Sequence, residues 1–169
     1  TKKWAAGVEL NNLRQYIHQK YKPKCQCIRC REPKNAQIDL DNVKTSIIEY
    51  EASKGKDFFI SVEDTINNLI IGFCRLRFPA QFLRPEITKT SAIIRELHVY
   101  GTSTPLGKVG NTQHRGFGKQ LVKAAEDIAK ENGKDKIIII SGIGVRQYYI
   151  DKLGYKLDGV YVSKTVLAK

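Results

Sequence analysis

The chain has 169 residues, 41% of them hydrophobic and 27% charged, so it is long enough to bury one core and too short for two ordinary domains. No apolar run approaches the roughly 20 residues that cross a bilayer, and the first residues lead into no signal-peptide core, which predicts a cytoplasmic protein. The formal net charge of +12 at pH 7 favours a polyanionic partner, because clustered cationic side chains release counterions from a phosphate backbone.

Basic side chains are concentrated at the start of the chain. Residues 1–34 hold nine basic and two acidic side chains, which is more than half of the net charge. A solvated charged surface is the ordinary explanation, but the clustering favours contact with nucleic acid. The residues expected to make this contact are Lys20, Lys22, Lys24, Arg29 and Arg31.

An N-terminal helix is predicted from Glu9 to Tyr21, where apolar residues recur at helical spacing and Pro23 follows shortly afterwards. The segment 22–35 is basic, contains three cysteines and is bracketed by prolines, as in an irregular linker. The sequence therefore predicts two parts: a helix with a cysteine-bearing knuckle at 1–35, and a single folded domain at 36–169.

Three closely spaced cysteines in the linker indicate a metal site. Cys25, Cys27 and Cys30 are two and three residues apart, and intracellular thiols at this spacing can converge on one tetrahedral zinc ion. Zinc requires a fourth ligand, for which His18 and a residue outside the chain are candidates. Cys74 lies in a strand pattern and is expected to be a buried apolar residue instead.

β-branched and aromatic residues dominate three segments, at about 43–51, 57–63 and 68–78, which predict an antiparallel meander. A fourth strand is expected at 91–100, followed by a loop over 102–112 that contains glycine and proline breakers. These four strands would form one side of a single sheet.

The second half of the domain alternates helices and short strands. An amphipathic helix begins near Phe117 and stops at Asn132-Gly133, and the isoleucines at 137–140 predict a strand covered on both faces. A short helix at about 145–153 precedes two short strands around Tyr155 and Val162. The order β-β-β-β-α-β-α-β-β predicts an α/β (α+β) fold with a mixed, mostly antiparallel sheet and flanking helices.

The segment Gln113-His114-Arg115-Gly116-Phe117-Gly118 leads into the long helix and predicts a phosphate site. Its glycines leave backbone N–H groups open to phosphate oxygens, and the helix N-terminus adds partial positive charge. Arg115 and Lys119 supply full charges. Glycines chosen only for packing are the alternative, but the context of strand, loop and helix favours a cofactor pyrophosphate.

These residues resemble the GNAT superfamily of acetyltransferases, whose Q/R-x-x-G-x-G/A signature matches 113–118. The similarity is greater to the acetyltransferase domains of the Elongator catalytic-subunit family. It is carried by the segments 95–101, 113–118, 141–149 and 152–159, and by 25–32, which resembles that family's zinc-binding linker.

The resemblance implies a GNAT fold and an acyltransferase that uses acetyl-CoA. Members of this family join a radical-SAM domain to a GNAT-type domain and modify C5 of the wobble uridine in tRNA, with acetyl-CoA as the source of the two-carbon group. The iron-sulfur cluster and SAM would belong to a domain that precedes residue 1, and the lack of methionine is expected of a piece of a longer protein. The implied partners are tRNA, the radical-SAM domain and other Elongator subunits, with no membrane.

The resemblance also implies which residues surround the cofactor. The pantetheine arm would pair with backbone groups of Leu97, His98 and Val99, as an added strand does. Glu96 alternates to the face opposite Leu97 and is a candidate general base, with an ordinary ion pair to a neighbour such as Arg95 or a lysine as the alternative. The side chain of His98 is more often structural than catalytic at such a position.

Tyr148 and Tyr149 are the candidate general acids, because GNAT enzymes place a tyrosine at the second short helix to protonate the departing thiolate. A phenol with a pKa near ~10 stays protonated at neutral pH. Aromatic packing in the core is the alternative for either residue. Tyr149 stands five residues before Gly154, one more than the spacing Y-x-K-L-G, so the sequence leaves open which tyrosine faces the thioester.

Two other functions fit the same fold. One is a protein-lysine N-acetyltransferase, and the other is a module that holds acyl-CoA without turnover. The basic, cysteine-bearing segment favours the tRNA enzyme over both.

Overall fold

The computed structural model describes residues 12–34, 36–101 and 116–166. The chain divides into two compact units, Thr1–Arg31 and Glu32–Lys169. This division comes four residues before the domain boundary that the sequence predicts after residue 35. In the part of the chain that the structure describes, no helix has the length and apolar character needed to span a membrane.

The first unit contains helix α1 (Leu13–Tyr21). The helix ends at Lys22, which adopts the left-handed conformation with φ 43° and donates its N–H to the carbonyl oxygen of His18 at 3.1 Å. None of the residues of α1 is buried. The residues from which the helix was predicted to begin, near Glu9, lie outside the described ranges.

The second unit opens with a one-turn 3-10 helix at Leu40–Asn42 and then forms a sheet with two α-helices among its described residues. The bounds in chain order are β1 Val43–Ala52, β2 Gly55–Asp64, β3 Leu69–Phe78, β4 Ser91–Val99, α2 Phe117–Glu131, β5 Lys136–Ile139, α3 Arg146–Leu153, β6 Lys156–Asp158 and β7 Tyr161–Thr165. The predicted order of elements is confirmed.

The seven strands are ordered β1-β2-β3-β4-β5-β7-β6 in one sheet. Every neighbouring pair is antiparallel except β4 and β5, which are parallel. The parallel pair follows from chain order, because α2 crosses over between β4 and β5. The sheet is therefore mixed and mostly antiparallel, as predicted.

The core lies between the sheet and the apolar face of α2. Leu121, Val122 and Ala125 of α2 are at most 2% exposed and pack against alternate residues of β2, such as Ile60 and Val62. The strand β5 is buried on both faces, as its run of isoleucines predicts, with Ile137, Ile138 and Ile139 at most 1% exposed. This core fixes β4 and the first turn of α2 next to each other.

Candidate active site

Strand β4 separates from β5 part-way along its length. The two strands pair only from Ser91 to Ile94, and the N–H of Ile140 donates to the carbonyl oxygen of Ile94 at 3.0 Å. Beyond Ile94, β4 continues to Val99 along β3 alone, after an irregularity in the β3–β4 register between Arg75 and Leu76. Among the described residues, the edge of β4 that faces β5 therefore has no strand partner over the predicted Leu97–Val99 segment, and an extended ligand can pair there.

Helix α2 begins beside this open edge. Its N-cap, Gly116, has φ 83°, a left-handed conformation that favours glycine, and a Cβ atom added there would meet no atom of the described residues within 4 Å. No described residue packs closely enough against Gly116 to require a glycine there. Of the other residues in the predicted phosphate segment, Phe117 packs into the core and Lys119 is exposed, whereas Gln113, His114 and Arg115 lie outside the described residues.

Tyr148 on α3 lies next to both of these features. A Cβ atom added to Gly118 would lie 3.8 Å from the Tyr148 hydroxyl oxygen and 3.8 Å from Cγ2 of Val99. The side chain is 39% exposed, and its partial burial raises the pKa of the phenol. The Tyr148 hydroxyl is therefore a protonated donor at neutral pH, located between the free edge of β4 and the first turn of α2.

Tyr149 is placed differently from its neighbour. It is 6% exposed, its ring centroid is 6.1 Å from that of Tyr155 in the core, and burial raises its pKa to about 12. The two adjacent tyrosines, which the sequence did not distinguish, thus differ in access: Tyr148 reaches solvent beside the open edge, and Tyr149 packs inside the core.

Glu96 lies on the face of the sheet opposite α2. Its partner in the β3–β4 ladder is Arg75, and the Arg75 Nε atom is 3.4 Å from the Glu96 carboxylate. The ordinary ion pair that the sequence offered as the alternative is therefore present, but with Arg75, whereas Arg95 lies 3.6 Å from Asp57. The partner of Glu96 is therefore set by the register between β3 and β4, and not by the residues next to it along the chain.

His98 shares that face with Glu96. Its ring is 4.5 Å from the ring of Tyr100 in an edge-on arrangement and 5.8 Å from that of Phe73, measured between centroids. These aromatic contacts fit a packing role for the imidazole, and its part in the predicted cofactor contact comes from the backbone.

Gly72 of β3 is a site residue that the sequence reasoning missed. A Cβ atom there would lie 2.9 Å from the carbonyl oxygen of His98, 3.2 Å from Cγ2 of Val99 and 3.3 Å from Cδ1 of Leu121. The glycine lets the free end of β4 approach α2 closely. A glycine inside a strand pattern was the available signal, since such glycines mark close approach.

A second candidate site lies in the first unit, at the cysteine-bearing knuckle. The ligand atoms of His18, Cys25 and Cys30 all lie within 4.8 Å of one another, and Nε2 of His18 is 3.4 Å from Sγ of Cys30. One imidazole nitrogen with two thiol sulfurs is a donor set that zinc prefers. The structure thus brings His18, which the sequence offered as a fourth ligand, next to two of the three predicted cysteines.

Cys27 begins the turn that ends at Cys30, whose backbone N–H donates to the Cys27 carbonyl oxygen at 3.0 Å. Arg14 Nη2 donates to Sγ of Cys27 at 3.3 Å and to Sγ of Cys30 at 2.8 Å. The backbone N–H of Cys30, followed by the thiol of Cys25, lowers the pKa of Cys27 to about 6. Cys74, in contrast, is fully buried in the core, where burial raises its pKa to about 12, so its predicted role as an apolar residue is confirmed.

The residues predicted to contact RNA surround this knuckle. From 12 to 31 the sequence has six basic and no acidic side chains. Lys20, Lys22, Lys24 and Arg29 are exposed, and Arg31 is half-buried. The ammonium of Lys20 lies 5.4 Å from the ring centroid of Tyr16 and 5.3 Å from that of Tyr21, so charge and aromatic surface alternate along α1.

Comparison with known proteins identifies the family. Residues 17–155 match the acetyltransferase (GNAT) family. The chain belongs to this family. The GNAT fold and the class of acyltransferase, both expected from the sequence, are confirmed by this match.

Relatives cover nearly all of this GNAT chain. It is 43% identical over 171 residues to the tRNA uridine(34) acetyltransferase of Methanocaldococcus jannaschii, and the matched region covers 94% of this chain and 31% of that protein. It is 41% identical over 172 residues to Elongator complex protein 3 of Schizosaccharomyces pombe, covering 95% and 31%. The structure of Methanocaldococcus infernus Elp3 with an N-terminal deletion of residues 1–46 has a TM-score of 0.80 and 43% identity, covering 90% of this chain and 38% of that one.

These relatives confirm the resemblance to the Elongator catalytic-subunit family. The GNAT chain spans about a third of the length of the curated relatives it matches.

Proposed function

We propose that this chain is the acetyl-CoA-binding acetyltransferase domain of an enzyme that carboxymethylates C5 of the wobble uridine in tRNA. In this proposal, the domain cleaves the acetyl-CoA thioester in support of the tRNA modification. The name of the 43% identical relative, tRNA uridine(34) acetyltransferase, supports the substrate class.

One observation carries the proposal: the unpaired edge of β4, the glycine N-cap of α2 and the Tyr148 hydroxyl converge at one place. A pantetheine arm can hydrogen-bond along the edge of β4, and a pyrophosphate can accept from the N–H groups at the start of α2. The Tyr148 hydroxyl lies between these two features, where a ligand that occupies both would pass it.

The chemistry follows from these positions. A nucleophile attacks the thioester carbonyl carbon, the carbon–sulfur bond breaks, and the Tyr148 hydroxyl gives its proton to the departing sulfur. The phenolate recovers a proton from solvent, so the products are the free CoA thiol and the acylated nucleophile. Glu96 remains the candidate base for the proton of the nucleophile, as predicted from the sequence.

The first unit is assigned to zinc and tRNA in the same proposal. His18, Cys25, Cys27 and Cys30 would hold the ion, which would order the knuckle as a structural centre with four protein ligands. Lys20, Lys22, Lys24, Arg29 and Arg31 would contact phosphates, and the rings of Tyr16 and Tyr21 offer stacking surfaces for bases. The radical-SAM domain and other Elongator subunits are the proposed further partners.

Calorimetric titration of the chain with acetyl-CoA tests the cofactor assignment. We expect saturable binding at one site and slow release of a free thiol that a colorimetric thiol reagent detects. If the chain binds no acetyl-CoA, the proposal is wrong.

A gel-shift experiment tests the substrate class. We expect the chain to retard tRNA, and histone-like peptides in excess to leave this complex intact. Displacement of tRNA by the peptides, with acetylation of their lysines, would favour a protein-lysine N-acetyltransferase instead.

A further inference from the structure

A pocket of about 340 Å³ lies at the end of β4 and has no part in the chemistry described above. It opens to solvent, and its volume is within the range of sites that hold small molecules, roughly 300–1,000 Å³. Its wall combines charged, aromatic and aliphatic side chains, all from the second unit. The lining includes Glu32, Lys34, Ile38, His98, Val99 and Tyr100.

The pocket shares Val99 with the candidate active site. Cγ2 of Val99 lies 3.8 Å from the position of a Cβ atom added to Gly118, which is also the distance of the Tyr148 hydroxyl oxygen from that position. His98 and Tyr100 alternate to the other face of the strand, the face that carries Glu96. A group held in this pocket therefore lies next to both the open edge of β4 and the candidate base.

Two aromatic rings of the lining are held in place by a buried third ring. The ring centroids of His98 and Tyr100 are 4.5 Å apart, and the ring of Phe73 lies 5.8 Å from the first and 6.3 Å from the second. Phe73 is buried, Tyr100 is half-buried and His98 is exposed. Rings that packing has already fixed offer a stacking surface, and little further order is lost when a flat ligand binds.

The pocket also has a hydrogen-bond acceptor and a donor close together. Burial, followed by the negative charge of Glu32 and of Glu96, raises the pKa of the Tyr100 phenol, which therefore remains a donor at neutral pH. Among the described residues, no cation forms an ion pair with the half-buried Glu32 carboxylate. A ligand can thus pair with both groups at once.

We propose that this pocket holds an unstacked uracil base of the RNA substrate, an inference that rests on the proposed function and adds where the base binds. The Glu32 carboxylate accepts a hydrogen bond from N3–H of uracil, and the Tyr100 hydroxyl donates one to O4. The exposed ring of His98 stacks on the base. Bases of single-stranded RNA are recognised in this way, by aromatic stacking and by hydrogen bonds along the Watson–Crick edge.

A lysine side chain of a protein substrate also suits a carboxylate beside aromatic rings. The pocket favours the nucleotide, because Lys34 places an exposed ammonium group in the same lining. This group repels a second cation and attracts the phosphate of a nucleotide. Cytosine fits less well than uracil, since its N3 atom is an acceptor and faces the Glu32 carboxylate without a proton between them.

The test compares two stem-loop RNAs that differ in one loop nucleotide, uridine or cytidine, by fluorescence anisotropy with the full chain. We expect about tenfold tighter binding of the uridine RNA, because cytosine leaves the carboxylate facing another acceptor. Glu32→Gln should bring this ratio close to one, since an amide can accept from uracil or donate to cytosine. Glu51→Gln, at an exposed carboxylate on the edge strand β1, removes the same charge and should preserve the ratio.

Photocrosslinking locates the base without any variant. With 4-thiouridine at the same loop position, ultraviolet light should link the RNA to a peptide that contains His98 and Tyr100, which mass spectrometry identifies. Crosslinks confined to Tyr16 or Tyr21 of the first unit would place the base there and overturn the assignment.

The remaining outcomes separate this pocket from the proposed function. Equal affinity of the unmodified chain for the two RNAs overturns the uracil assignment and leaves acetyl-CoA binding intact. Loss of the crosslink when a lysine-containing peptide is added would make the pocket a site for protein substrates, which also overturns the assignment. If the chain binds neither RNA, the substrate class of the proposed function fails first, and the pocket assignment fails with it.

Discussion

Helices α1 and α2 differ in what they bury. Seven of the fifteen residues of α2 are buried against the sheet, whereas none of the nine residues of α1 is buried. Full burial of a large apolar side chain contributes roughly 1.5–3 kcal/mol, so α2 is stabilised by its core and α1 is not. The unit that contains α1 needs another source of order, and the cluster of His18 and cysteines is the candidate.

Removal of metal is expected to have the largest effect, because it should unfold the first unit and leave the second unit folded. The chain prepared with Zn²⁺ should bind one ion, and a chelator should abolish protection from hydrogen exchange over residues 12–31 while the sheet stays protected. The reason is that structural zinc contributes on the order of 10 kcal/mol to folding in small units without a core. Hydrogen exchange measured by mass spectrometry reports both units in one experiment.

A matched pair of variants controls this prediction. Cys30→Ala should abolish zinc binding, and Cys74→Ala should retain one ion because Cys74 is fully buried in the core. If the unmodified chain binds no zinc, or if chelation exposes the sheet as much as the knuckle, the comparison between the units does not hold.

The second effect concerns the second unit, Glu32–Lys169, called the sheet unit below. Its buried core should keep the fold intact when one functional side chain is shortened. Tyr148→Phe should lower thioester cleavage by about 10²-fold with little change in acetyl-CoA affinity, since the proton is needed as charge develops on sulfur. Tyr149→Phe should leave cleavage nearly unchanged, because that ring packs in the core. Steady-state release of CoA thiol measures both variants, and a Tyr149→Phe variant with the larger defect would reverse the assignment.

The pH dependence provides an independent check on Tyr148. A general acid works in its protonated form, and partial burial raises the pKa of this phenol above its ordinary value of ~10. Cleavage should therefore be insensitive to this group near neutral pH and should fall only above about pH 10. The Tyr148→Phe variant should lack that alkaline decline, and its persistence would point to another acid.

The third effect is loss of cofactor binding at the first turn of α2. Gly116→Asp should weaken acetyl-CoA binding by at least ~2 kcal/mol, about 30-fold, because its carboxylate repels the pyrophosphate. Gly116→Asn is the matched control, since asparagine has the same shape and similar tolerance of positive φ without the charge. Calorimetry should show the larger loss for Gly116→Asp, and equal losses would mean that backbone strain, and not phosphate repulsion, governs the site.

Much of the sheet unit was predictable because its elements follow local patterns. Segments rich in β-branched and aromatic residues and the run of isoleucines indicated strands, and the amphipathic pattern after Gly116 indicated α2. The partner of Glu96 was not predictable, since Arg75 reaches it through a register that includes an irregularity in the ladder. Which of Tyr148 and Tyr149 is exposed was also not predictable, because α3 is short and its sequence does not define a single apolar face.

The first unit was predictable to a different extent. The spacing of its cysteines indicated a metal site and left His18 as one of two candidates for the fourth ligand, and the structure shows that the chain turns back after α1 so that Nε2 of His18 lies 3.4 Å from Sγ of Cys30. That turn rests on a residue with positive φ that is not a glycine, for which the sequence offered no signal.

The smallest expected effect tests whether the basic surface of the first unit binds RNA. The triple variant Lys20→Gln/Lys22→Gln/Lys24→Gln should bind tRNA more weakly, and its plot of log affinity against log salt should be shallower by about 0.7 to 0.9 for each phosphate that a lysine no longer neutralises. A triple variant of exposed lysines in the sheet unit, Lys44→Gln/Lys54→Gln/Lys89→Gln, removes the same charge and should keep the slope of the unmodified chain. Electrostatic attraction that depended only on net charge would change both variants alike, so equal slopes would place the RNA away from the knuckle. A shallower slope confined to the first variant would mean that the unit without a core binds the RNA phosphates.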